Sequence, residues 1–184
     1  MEVSRNANPD PGFLERVRAL ATEKGIVLVF DECTSGFRQA FGGLHKVYGV
    51  EPDIAVFGKA LGNGYAITAV IGRREVMEAA QTTFISSTFW TERIGPAAAL
   101  KTLEVMERER SWDRITEIGR DLGERWSELA RRHGLPIQLN GLPALIGFTL
   151  PFSNMLKYKT LITQEMLRKG FLASTSFYAC TEHT

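Results

Sequence analysis

The chain has 184 residues, 44% hydrophobic and 23% charged, with a formal net charge of +1. That composition excludes a disordered or collagen-like polypeptide, and the length allows one domain, or one domain with a small second beside it. A net charge this close to zero gives no attraction for a nucleic acid or an anionic membrane, so neither is expected as a partner. The longest apolar run, 26–30, is far too short to span a bilayer, and Met1-Glu2-Val3-Ser4-Arg5 has no apolar stretch of a secretory signal. Cys33 and Cys180 lie far apart, and His45, His133 and His183 are scattered singly. Two free thiols in a cytoplasmic protein without a metal site are expected.

Asn8-Pro9-Asp10-Pro11-Gly12 is a turn-rich opening. The spacing of Phe13, Val17, Leu20 and Ala21 predicts an amphipathic helix over 13–24, closed by Gly25. The unbroken run Ile26-Val27-Leu28-Val29-Phe30 predicts a strand buried on both faces, as in a parallel sheet covered by helices. After a loop holding Gly36, Gly42 and Gly43, a second apolar run occupies 53–57. A third, at 68–71, follows the glycine-rich stretch 58–64. A short helix is expected over 74–80, a long one opening at Gly95-Pro96, and another over 112–133, ended by Gly134 and Pro136. Strand-like pieces at 137–139, 145–150 and 171–174 alternate with a helix over 156–169. The order of elements predicts the α/β class, with a mainly parallel sheet and a boundary near 107–111. Residues 1–108 would then form part of a large domain and 109–184 a small C-terminal α+β domain.

Two positions invite chemistry. Asp31-Glu32 directly follows the first apolar run, and in open α/β sheets ligands bind outside the carboxyl ends of the strands. Gly58-Lys59 ends the second run, where partial desolvation frees the lone pair of an amine. Twenty-eight residues separate Asp31 from Lys59, enough for one crossover to bring both to the same sheet edge. Pyridoxal phosphate requires such a pair: a lysine for the Schiff base and a carboxylate that keeps the ring nitrogen protonated. Taken singly, each residue is equally compatible with a plainer role, Lys59 as a solvated surface group and Asp31 as a turn residue or helix cap.

The surrounding residues carry a resemblance. Phe30-Asp31-Glu32-Cys33-Thr34-Ser35-Gly36-Phe37-Arg38 resembles the Asp-Glu signature of class III, fold-type I aminotransferases. Tyr48-Gly49-Val50-Glu51-Pro52-Asp53, followed by Gly58-Lys59-Ala60-Leu61-Gly62-Asn63-Gly64, resembles the cofactor-lysine segment of that family. Within it, the chain is similar to enzymes of the glutamate-1-semialdehyde aminomutase type. The resemblance implies pyridoxal 5'-phosphate as cofactor. Lys59 would be the catalytic and cofactor-binding lysine, Asp31 the partner of the pyridine nitrogen, and Cys33 a small side chain on the ring face, where the family usually has valine. Thr88 matches a threonine that reaches the cofactor phosphate of a neighbouring subunit, which implies a homodimer with a shared active site. Glu32 and Arg38 read as supporting polar groups, with Arg38 alternatively receiving a substrate carboxylate.

The loops around Tyr65 and Phe89-Trp90 depart from the aminomutase pattern, so the substrate is left as an amino acid or an amino-aldehyde or keto compound, with transaminase and intramolecular aminomutase both open. The family is more than twice this length, and its glycine-rich phosphate cradle has no counterpart here. The resemblance therefore implies a fragment that binds cofactor poorly and does not turn over alone. Two other functions compete. One is a non-catalytic dimerisation or regulatory relic of the same fold. The other is a nucleotide hydrolase, since 26–32 imitates a Walker B strand; that function needs an upstream Gly-Lys-Ser/Thr loop, which the sequence lacks.

Overall fold

The computed structural model describes residues 8–183, which fall into two compact units divided between Ser111 and Trp112. In the first unit, helix α1 (Phe13–Glu23) starts after Gly12 at φ 76° and stops before Gly25 at φ 64°. Both are left-handed positions that glycine occupies without a Cβ penalty. Leu14 and Ala21 face inward from α1, and Leu14 joins Phe30 and Val50 in a core flanked by Leu28 and Tyr48.

That core lies against a three-stranded sheet in the order β1-β2-β3, formed by Val29–Asp31, Ile54–Phe57 and Ala69–Gly72. β1 and β2 are parallel, with Val29 opposite Ile54 and Asp31 opposite Val56. β3 runs antiparallel to β2, so the sheet is mixed. The chain between Phe57 and Ala69 is too short for the helical crossover that a parallel return requires. The predicted first strand is shorter than 26–30, and it is buried on one face only. Phe30 is buried whereas Val29, Ile26 and Val27 are about half exposed. A β-branched run sets strand propensity but not which faces of the sheet other elements cover.

Asp53 ties helix to sheet. Its Oδ2 accepts from the Leu28 backbone N–H and from Arg18 Nη1, each at 2.8 Å, and Arg73 Nη1 lies 3.3 Å from Oδ1. The Leu28 amide and the Arg18 guanidinium hold its carboxyl below the ordinary carboxylate range, with further help from the charges of Arg18 and Arg73. A short helix α2 (His45–Tyr48) lies between β1 and β2, and α3 (Arg74–Met77) follows β3. Helix α4 (Ile94–Glu109) opens on Glu92, whose carboxylate accepts from the Ile94 and Gly95 amides and is thereby held more acidic than usual.

The second unit contains α5 (Ser111–Arg132), an antiparallel pair β4 (Gln138–Asn140) and β5 (Gly147–Thr149), and α6 (Met155–Arg168). Ile115, Ala144 and Ala179 form its buried centre, with Ile118 and Phe177 packed on it. Glycine is required at 119, because a Cβ there would collide with the Pro143 carbonyl. The strand expected at 171–174 does not form. Pairing comes slightly later, as a single bridge of Ser176 to Gly147 and a 2.9 Å bond from the Phe148 amide to the Thr175 carbonyl. Apolar residues at 171–174 signal extension, but only the neighbouring backbone decides where pairing starts. Among the described residues no helix is long and apolar enough to cross a membrane.

Candidate active site

Because β1 and β2 are parallel and adjacent, their carboxyl ends open on the same edge of the sheet. Asp31 is the last residue of β1, and Lys59 stands two residues beyond the end of β2. The ladder continues one step past Asp31, the Glu32 amide donating to the Val56 carbonyl at 2.9 Å. The chain then turns. Asp31 Oδ1 accepts from the Cys33 amide at 3.0 Å, and the Gly36 amide closes back on the Glu32 carbonyl at 2.8 Å. Phe37 packs its ring 5.4 Å from that of Phe57, the last residue of β2, so the two strand exits are also joined by aromatic packing.

Three of the four predicted site residues, Asp31, Cys33 and Lys59, lie at this edge. Lys59 Nζ donates to Thr34 Oγ1, a buried hydroxyl three residues after Asp31. Cys33 Sγ lies 2.7 Å from where a Cβ on Gly58 would stand, so its thiol is seated against the residue preceding the lysine. Both the amine and the carboxylate are thus anchored to residues 31–34. Lys59 itself adopts φ 44°, a left-handed conformation that costs a residue with a Cβ roughly 1 kcal/mol. Such outliers concentrate at functional sites, where surrounding structure over-determines them. Asp31 and Lys59 are exposed, Cys33 is half-buried, and both cysteines of the chain are free thiols.

Among the described residues no hydrogen bond brings Thr88 to this edge. It lies in the exposed stretch 83–91, which has neither helix nor strand and is ordered locally by turns and by the Phe89 amide donating to Ser87 Oγ at 3.2 Å.

Sequence reasoning missed Thr34 and His45. Thr34 was within reach of it, being a hydroxyl at a strand exit inside the quoted signature. His45 carried no signal, since its role depends on the path of a twelve-residue loop. Glu32 is fully buried. It accepts from the Leu44 amide, from the His45 amide at 3.0 Å and, through Oε1, from His45 Nδ1 at 2.6 Å. It supports the turn from inside, as a polar contact of the kind expected.

An exposed carboxylate and a primary amine are thus both held by residues 33–34 at the carboxyl edge of the parallel strand pair. The chain belongs to the class-III aminotransferase family, whose profile matches residues 6–177. It is 38% identical over 182 residues to a 3-aminobutyryl-CoA aminotransferase of Cloacimonas acidaminovorans (strain Evry), covering 96% of this chain and 44% of that protein. It is 31% identical over 163 residues to glutamate-1-semialdehyde 2,1-aminomutase 2 of Brevibacillus brevis, covering 87% of this chain and 38% of that one. Among solved structures, the PLP internal aldimine form of the Sphingopyxis sp. MTA144 FumI protein superposes with a TM-score of 0.90 at 25% identity, over 97% of this chain and 44% of that one. An omega-transaminase from Sphaerobacter thermophilus gives a TM-score of 0.82 at 26% identity, over 95% and 43% of the respective chains. The α/β class expected from the sequence is that of these transaminases, and the chain spans less than half the length of the relatives it matches.

Proposed function

We propose that this chain supplies the lysine and the ring-nitrogen carboxylate of a pyridoxal 5'-phosphate-dependent amino-group-transfer enzyme. The observation that carries this reading is the shared anchorage of Lys59, on Thr34, and of Asp31, on the Cys33 amide, at the edge where two parallel strands end. The donor set fits the cofactor at two of its three ends: a primary amine for the aldehyde carbon and an anionic oxygen for the pyridinium N–H. When bound, pyridoxal phosphate supplies an electron sink that stabilises negative charge on the substrate carbon bearing nitrogen.

The residues of this chain do the rest. Asp31 would accept the ring N–H and keep that nitrogen cationic. Lys59 would hold the aldehyde carbon through Nζ and, once released, carry the proton at the substrate carbon. Thr34 orients that amine before the cofactor arrives. Cys33, seated against Gly58, would offer an apolar surface to the ring. Thr88, exposed on a segment without helix or strand, is assigned through the family resemblance to the cofactor phosphate of a second subunit, which makes the working enzyme a homodimer with a shared site. The substrate is an amino compound whose nitrogen passes to a carbonyl acceptor. In this scheme the first unit is the cofactor-binding part of the larger domain and the second is the small C-terminal domain.

The test is covalent trapping. The chain is incubated with excess pyridoxal phosphate, reduced with borohydride and mapped by mass spectrometry. The expected result is a stable adduct on Lys59, absent from Lys59→Ala. Adducts spread evenly over the other lysines, with none preferred at 59, would defeat the assignment.

A further inference from the structure

We infer that Glu32 and His45 are a positioning pair that sets the direction of the Asp31 carboxylate, an inference that rests on the role proposed above for Asp31. Successive side chains of an extended segment point to opposite faces. Asp31 is exposed at the sheet edge, and Glu32 is fully buried on the other side of the backbone. Glu32 stands between Asp31 and Cys33, the residue whose amide holds the Asp31 oxygen at 3.0 Å. Whatever fixes Glu32 therefore fixes both ends of that bond.

Three donors fix it: the Leu44 amide, the His45 amide at 3.0 Å and His45 Nδ1 at 2.6 Å. A buried carboxylate is tolerated only when its oxygens are satisfied in this way, so the arrangement is close to all-or-none. His45 is steadied in turn. Its Nε2 lies 3.7 Å from Glu51 Oε2, and its ring packs 6.3 Å from that of Phe30, the residue before Asp31. Gly43 completes the device. A Cβ at that position would overlap the His45 ring and come within 2.9 Å of Glu32 Oε1, although its backbone does not itself require glycine. The packing reserves this space for the imidazole.

The experiment uses the full chain without cofactor and reads amide hydrogen exchange by NMR. In Glu32→Gln and in His45→Leu, exchange at Cys33 is expected to accelerate roughly tenfold or more, the effect of weakening a hydrogen bond to a charged group. The amides of Asp53 and Arg73, bonded to the Leu28 and Asp53 carbonyls, should keep wild-type protection. His45→Asn, whose side-chain amide can stand in for Nδ1–H, should restore most of the protection at Cys33. Gly43→Ala, which crowds the His45 ring and the Glu32 carboxylate while leaving both residues in place, gives the same acceleration should Glu32→Gln fail to fold. Faster exchange at Leu44 and His45 with Cys33 unchanged would overturn the inference, leaving Glu32 a support for α2 alone. Borohydride trapping on the same proteins separates the two ideas. Loss of protection at Cys33 in a chain whose wild type gains no adduct at Lys59 would spare the pair and remove the cofactor role.

Discussion

Residues 31–35 and residues 83–91 hold two halves of one proposed site, and the chain treats them in opposite ways. In the first stretch Glu32, Thr34 and Ser35 are buried, the Asp31 carboxylate and the Lys59 amine are each hydrogen-bonded to it, and two strands and an aromatic pair fix its ends. In the second every residue is exposed, including Phe84 at 93% and Trp90 at 68%. Groups that must meet one small ring at fixed angles are held by this chain's own network. A group assigned to the phosphate of another subunit is carried on a segment that its own chain does not bury. Preorganisation is thus confined to the half of the site that the chain completes by itself.

Asp53 locks α1 to the sheet that carries the organised half. Asp53→Asn removes the anionic partner of Arg18 and should cost roughly 3 kcal/mol of stability, seen as a lower denaturant midpoint. The acid limb sharpens the point. The folded carboxyl is more acidic than an unfolded one, so its contribution is complete above the unfolded value of about 4 and is lost as pH falls through the lower folded value. Wild-type stability should therefore decline below about pH 4, and Asp53→Asn should decline less steeply there.

A smaller effect is expected at Lys59. Its φ of 44° is strained for any residue with a Cβ, so Lys59→Gly should be about 1 kcal/mol more stable than Lys59→Ala in chemical denaturation. Equal stabilities would mean that the left-handed conformation stores nothing. The smallest effect belongs to the exposed half: Thr88→Ala should move stability by less than about 0.5 kcal/mol. A loss well above that would show Thr88 engaged within its own chain and unavailable to another.

The legible part of the molecule was its periodic and punctuated part. Apolar spacing with Gly25 behind it located α1, and Asp31 and Lys59 stood out because each follows a short apolar run. What was not legible depends on contacts between segments distant in sequence. The half-exposed face of Val29 depends on which elements cover the sheet, and the antiparallel return of β3 reflects the length of a connection rather than any residue in it. His45 reaches Glu32 across twelve intervening residues whose path no pattern predicts. Thr34 lay inside the quoted signature, but its partner, the Lys59 amine, comes from the next strand exit.

One heterocycle is proposed to bridge Lys59 and Asp31, and its ring nitrogen can be observed directly. Pyridoxal phosphate labelled with 15N in the ring, attached at Lys59 by reduction, should give the resonance of a protonated pyridine nitrogen in the wild type and of a neutral one in Asp31→Ala at the same pH. A ring nitrogen equally protonated in both proteins would contradict the account, because the acidic partner would then lie elsewhere.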